Sequence, residues 1–130
     1  MMVYLDDKSI QQLIEAFNQR NLEPALKLFS EGVILHCPGK NRVSGDYHGR
    51  SGVVEFWKKQ IALTNNTLQG QVIATSQGEG ILVLIMDVSV ELDDQQVSWQ
   101  RVNQYHVVDA RIIECWIYEG DQYTADAVFA

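Results

Sequence analysis

Along the first half of the chain, apolar residues recur at helical spacing. Ile10, Leu13, Ile14 and Phe17 fall at i, i+3, i+4 and i+7, which predicts a helix over 8–19 with one apolar stripe. Asp6-Asp7 and Ser9 supply its cap and an acidic first turn. Leu22, Ala25, Leu26 and Phe29 repeat the period with Pro24 in a first turn, which predicts a second helix ended by Gly32. A short apolar run, Val33 to Leu35, then reaches Cys37 and breaks at Pro38-Gly39, so residues 33–37 are expected to form a strand and 43–47 another. A glycine turn (Gly45, Gly49, Gly52) leads into a third helix capped by Ser51, with Val53, Phe56, Trp57 and Ile61 on one face and an end near Thr64-Asn65-Asn66.

From Leu68 the period becomes extended. Val, Ile, Tyr and Trp dominate 68–77, 81–92, 96–108 and 111–119, separated by Gly78-Glu79-Gly80, Asp93-Asp94 and Asp109-Ala110. Three helices followed by hairpin-linked strands predict an α+β fold with one curved, mainly antiparallel sheet. The tail from Thr124 to Phe129 is expected to make a helical turn that packs Val128 or Phe129 inward.

A two-residue turn at Asp109-Ala110 pairs Val108 with Arg111, and hence His106 with Ile113, Gln104 with Cys115 and Val102 with Ile117. Because side chains alternate, those last six share one face. Arg101, Asn103, Tyr105, Glu114, Trp116 and Tyr118 take the other. Both faces are partly apolar, and a one-residue slip of register exchanges them.

Length and charge narrow the function. With 130 residues the chain fits one domain, 1–130, with room for a sizeable core. A net charge of −7 and only one adjacent basic pair, Lys58-Lys59, argue against nucleic acid and anionic membrane surfaces. The start MMVYLDDKS lacks the pattern of a signal peptide, and the apolar run Ile81 to Met86 is too short to span a bilayer, so a cytoplasmic location is expected. Cys37 and Cys115 make neither a disulfide framework nor a metal motif. No metal or cofactor is expected.

The segments FNQRNLEPALKLFSEGVILHCPG, SGDYHGRSGVVEFW and VVDARIIECWIYEGDQY resemble the NTF2-like superfamily, in its SnoaL-like and ketosteroid-isomerase-like group. The resemblance implies a cone-shaped fold: three N-terminal helices packed on one strongly curved, mainly antiparallel sheet, with an apolar pocket at the open end. That scaffold hosts isomerases, cyclases, dehydratases, epoxide hydrolases and inert binding domains, so function rests on individual residues. Steroid isomerases of the group use a tyrosine on the first helix, an aspartate before the proline of the strand break and a protonated aspartate on the penultimate strand. Matching places Leu13, Cys37 and Gln104 at those positions. All three depart from the pattern, and steroid isomerisation is not expected.

The candidates for chemistry are therefore His106, whose intrinsic pKa suits acid–base work, and Gln104, an amide able to donate to a ligand carbonyl. A cavity is expected between the first and third helices and the sheet. Its predicted lining is Leu13, Phe17, Cys37, Phe56, Trp57, Val102, Ile113, Cys115 and Ile117, together with those two polar groups. Cys37 stands at the position of the family's base, yet nothing in the sequence supplies the cation that would make it a thiolate. Asp121 lies near the region where polyketide-cyclase-like members carry an acid. Three functions follow: a cofactor-free isomerase, cyclase or lyase on a small apolar or polyketide-like substrate, a non-catalytic module for a small apolar ligand, or an association domain. Outward-facing Arg101, Tyr105, Trp116 and Tyr118 are expected to form a homodimer interface.

Overall fold

The computed structural model describes residues 4–130. Helix α1 spans Asp7–Asn18, and the side chain of Asp6 caps it by accepting from the backbone N–H of Ser9 at 2.8 Å. Leu13 and Ala16, on its apolar stripe, are fully buried. The second predicted helix is only a 3₁₀ helix, Glu23–Leu28, and Phe29 already belongs to the next strand. Pro24 sits in the first turn of the 3₁₀ helix, where no N–H is needed, and a tighter turn serves where the chain must reverse quickly between α1 and the sheet.

Strand β1 (Phe29–Cys37) and the short β2 (Gly45–His48) form an antiparallel pair, and β2 runs directly into helix α2 (Gly49–Leu63). The helix starts two residues earlier than Ser51 because Gly49 adopts φ 76°, a left-handed turn that starts the helix straight after β2. At Gly52 a Cβ would lie 3.0 Å from the backbone of Tyr47, so only glycine lets α2 pack this tightly against β2.

Strands β3 (Gln69–Gly78), β4 (Ile81–Leu92), β5 (Gln95–Val108) and β6 (Arg111–Glu119) follow as successive hairpins, and helix α3 (Gln122–Val128) closes the chain. Asp93-Asp94 and Asp109-Ala110 are both left-handed pairs, the two-residue turn whose twist matches the flanking strands. The six strands form one sheet in the order β2-β1-β6-β5-β4-β3, antiparallel except where β1 meets β6. Among the described residues, helical elements therefore number four, one of them 3₁₀ and one C-terminal, rather than three at the N-terminus.

One irregularity decides which residues face inward. The turn pairs Val108 with Arg111, but an extra residue on β6, Ile113, shifts the ladder so that His106 faces Glu114, Gln104 faces Trp116 and Tyr105 faces Cys115. This β-bulge decouples the two alternations. Cys115 and Ile117 point into the core, as do Trp99, Arg101, Asn103, Tyr105 and Val107 from β5. Val102, Gln104, His106, Trp116 and Tyr118 lie on the outer face. The expected inward set on β5 is thus reversed, because the bulge-free pairing carried the correct parity of β6 onto the wrong parity of β5.

The core lies between the inner face and the helices. Leu82, Leu84, Met86, Val88 and Val90 alternate along β4 and are buried, and they meet Val53 and Phe56 of α2 and Leu13 of α1. Helix α3 sets Phe129, fully buried, edge-on against Trp99 with ring centroids 6.2 Å apart. No helix among the described residues is long and apolar enough to cross a membrane.

Candidate functional site

Helices α1 and α2 do not completely fill the concave side of the sheet. Between them lies a cavity of about 60 Å³ that opens toward the C-terminal end of α1. Leu13, Phe17, Phe56, Trp57, Cys115 and Ile117 contribute to its wall. Cys37 is buried but outside the lining, and Val102 and the 38% exposed bulge residue Ile113 belong to the outer face. The mouth is strapped by Arg20, which donates to the backbone carbonyl of Asn66 at 3.2 Å and to its Oδ1. A polar surface groove shares Phe17, Arg20, Gln69, Gly70 and Val88 with the cavity and leads into it.

The wall is apolar and the floor is not. Arg101, only 5% exposed, forms a bidentate ion pair with Glu119 (Nε–Oε1 2.7 Å, Nη2–Oε2 2.9 Å). Its Nη1 donates to Gln60 Oε1 at 2.7 Å, and Trp99 Nε1 donates to Glu119 at 3.2 Å. A guanidinium survives burial only with its charge matched and its N–H groups engaged. Beside it Asn103, 3% exposed, donates from Nδ2 to the hydroxyl of Tyr105 at 2.9 Å, while its Oδ1 has no partner. Arg101 and Tyr105, expected at an outer interface, are instead the inward-facing polar groups of β5. Sequence pattern alone missed them together with Asn103 and Gln60. The bulge-free register set Arg101 opposite Tyr118, and only the shift at Ile113 brings Glu119 opposite it.

Burial dominates the ionisation of the other groups. It holds Tyr105 well above the usual phenol range, pushes the Cys37 thiol up to about 12, and pushes Cys115 up further. Nearby Arg101 opposes the shift in each case without overcoming it. The cavity lining holds no histidine and no carboxylate among the described residues. The polar groups of the lining are hydrogen-bonding groups, and none of them among the described residues is a histidine or carboxylate matched to proton abstraction near neutral pH.

The remaining candidates lie elsewhere. His106 and Gln104, the expected catalytic pair, sit on the outer face, where the His106 ring tilts against Trp116 with centroids 4.6 Å apart. The reason is the bulge at Ile113. His36 stacks on the other side of the cluster, 5.3 Å from Trp116, and bridges Asp46 (2.7 Å) and Glu114 (2.6 Å). Asp121 caps α3 by accepting from Thr124. Asp126 ties α3 to the loop between β1 and β2, accepting from the N–H of Lys40 and the amide of Asn41.

Among solved structures, the fold is shared with Bal32a from a soil-derived mobile gene cassette: TM-score 0.86, 18% identity, 95% of each chain covered. TerC co-crystallised with polyporic acid has a TM-score of 0.80 at 15% identity, with 94% of this chain and 95% of that one covered. An NTF2-like protein of unknown function from Burkholderia pseudomallei K96243 has a TM-score of 0.77 at 15% identity, with 95% of each chain covered. At these identities the likeness concerns the fold alone. No curated protein is significantly similar in sequence. The profile of the SnoaL-like domain matches residues 10–115. That match spans most of the chain, and with the curved sheet and the helices on its concave side it leads to one conclusion: the chain belongs to the SnoaL-like domain family.

Proposed function

We propose that this protein holds a small, mainly apolar molecule in the cavity between α1, α2 and the sheet. One observation carries the reading: the amide oxygen of Asn103 is buried without a partner at the floor of a cavity whose wall is apolar. Such a vacancy costs about 1–3 kcal/mol unless something completes it. Chemistry on the bound molecule would be polarisation by the Tyr105 hydroxyl and Arg101, since no histidine or carboxylate lines the site. A steroid-isomerase mechanism has no support: Leu13 on α1 offers no oxyanion donor, Asn103 rather than a carboxylic acid faces inward on β5, and no carboxylate lines the cavity. Polyporic acid, present in the TerC crystals, is a first probe beside a set of small apolar compounds. A thermal-shift screen is expected to give ligands that raise Tm in the wild type and not in Asn103→Leu. A screen in which no compound moves Tm, or in which every ligand with a hydrogen-bonding group moves both proteins equally, refutes the reading.

A second reading concerns pairing of two copies through the outer face of the sheet. Tyr118 is 48% exposed there and Ile81 39%, beside half-buried Trp116, and α3 packs on the opposite side. With Arg101 and Tyr105 turned inward, the interface reduces to Trp116, Tyr118 and their outer-face neighbours. Sedimentation is expected to show a dimer that Trp116→Glu dissociates. A wild type that stays monomeric at micromolar concentration removes it.

A further inference from the structure

The floor of the cavity specifies more than an apolar occupant. Asn103 Nδ2 donates to the Tyr105 oxygen at 2.9 Å, so that oxygen is used as an acceptor and its own hydrogen has no acceptor among the described residues. Asn103 Oδ1, at the other end of the same amide, has no donor. The two ends of a carboxamide are about 2.2 Å apart. Adding the 2.9 Å bond, Oδ1 and the Tyr105 oxygen lie within roughly 5 Å of each other. A single oxygen about 2.8 Å from each would bridge them. That oxygen must donate to Oδ1 and accept from Tyr105, which only a hydroxyl or a water does. Turning the amide over leaves Nδ2 unpaired instead, and a hydroxyl still fits by accepting from it.

Charge narrows the class again. Arg101 is already matched by Glu119 through two bonds, so an anionic ligand would bring an uncompensated charge into an apolar cavity and set it against Oδ1. The enclosed volume of about 60 Å³ accepts only the leading end of a molecule. The rest must lie along Leu22, Trp57, Ile61 and Leu68 toward the mouth.

We infer that the ligand is a neutral apolar compound with a hydroxyl group, phenolic or alcoholic, that enters hydroxyl-first and bridges Asn103 and Tyr105. This rests on the cavity being the binding site. The full chain is titrated calorimetrically with p-cresol, p-xylene, 4-methylanisole and p-toluate. The p-cresol is expected to bind about 10-fold more tightly than p-xylene or 4-methylanisole, the margin of roughly one net hydrogen bond. The p-toluate anion is expected not to bind. Asn103→Leu should bring p-cresol down to the level of p-xylene while p-xylene is held as before. Tyr105→Phe removes one oxygen only, and should narrow the same gap even if Asn103→Leu fails to fold. If p-cresol and p-xylene bind equally, the hydroxyl inference falls while the cavity reading stands. If p-toluate binds best, neutrality is wrong. If no probe binds, both fall, and an ordered water occupies the bridge.

Discussion

Glu119→Gln tests whether the floor of the cavity is held by charge. The substitution keeps the shape of the side chain and leaves an acceptor for Trp99, but removes the charge opposite a guanidinium that is 5% exposed. Breaking a buried pair from one side costs about 3–5 kcal/mol, because the remaining charge stays buried without compensation. For a chain of this length that lowers Tm by roughly 10 °C or more. Arg101→Met with Glu119→Gln removes both charges and refills the space with apolar atoms. The double variant should recover most of the loss, short by about 1–2 kcal/mol because Gln60 loses its 2.7 Å donor. Urea unfolding of the wild type, Glu119→Gln, Arg101→Met and the double variant, with unchanged m-values, measures the coupling. A single variant that loses less than about 1 kcal/mol behaves as a solvated surface pair. A double variant no better than the single means the charges are not what the floor requires. Either result refutes the argument.

Two further predictions follow from protonation. Both ring nitrogens of His36 bond carboxylate oxygens, at 2.7 and 2.6 Å, which requires two N–H groups and hence the imidazolium. Burial of the ring pulls its pKa down, but the hydrogen bonds to Glu114 and Asp46 outweigh this and raise it above 6.5. A raised folded-state pKa gives stability that is full below about 6.5 and lost as pH climbs through the folded value. NMR titration should find His36 protonated beyond the range of a free histidine, and His36→Asn should flatten that part of the Tm–pH curve; a His36 pKa at or below 6.5 contradicts the geometry. Native Cys37 and Cys115 should resist alkylation at pH 8 and react only on unfolding, with both thiols held protonated by burial, Cys37 up to about 12. Rapid labelling of either thiol by mass spectrometry in the folded protein would show that the core opens there.

Much of this architecture was legible from periodicity. The apolar stripe of α1, the glycine turn into α2 and the long hairpin strands each depend on local pattern, and each stands within a few residues of its expected place. The failures have specific causes. The 3₁₀ helix replaced an α-helix where the short path to β1, which begins at Phe29, left no room for a longer ladder. The site on β5 was inverted by Ile113, an apolar residue in a strand of apolar residues, which carries no local mark of being a bulge. Composition could not correct the error, since Val102, Gln104 and His106 read as a more natural interior than Arg101, Asn103 and Tyr105.

Burying the less apolar set is possible only because partners arrive from other elements. Arg101 on β5 receives Glu119 from β6, 18 residues away, and Gln60 from α2, 41 residues away. None of these is close in sequence, so no window of the chain contains the reason for the choice. Once closed, that network consumes the polar capacity at the α3 end of the floor, where Trp99 and Phe129 pack. Asn103 lies one step further along the same face, away from the mouth, and has only Tyr105 beside it. Its unpaired oxygen therefore falls at the inner end of the floor, where a hydroxyl group that enters first could complete it.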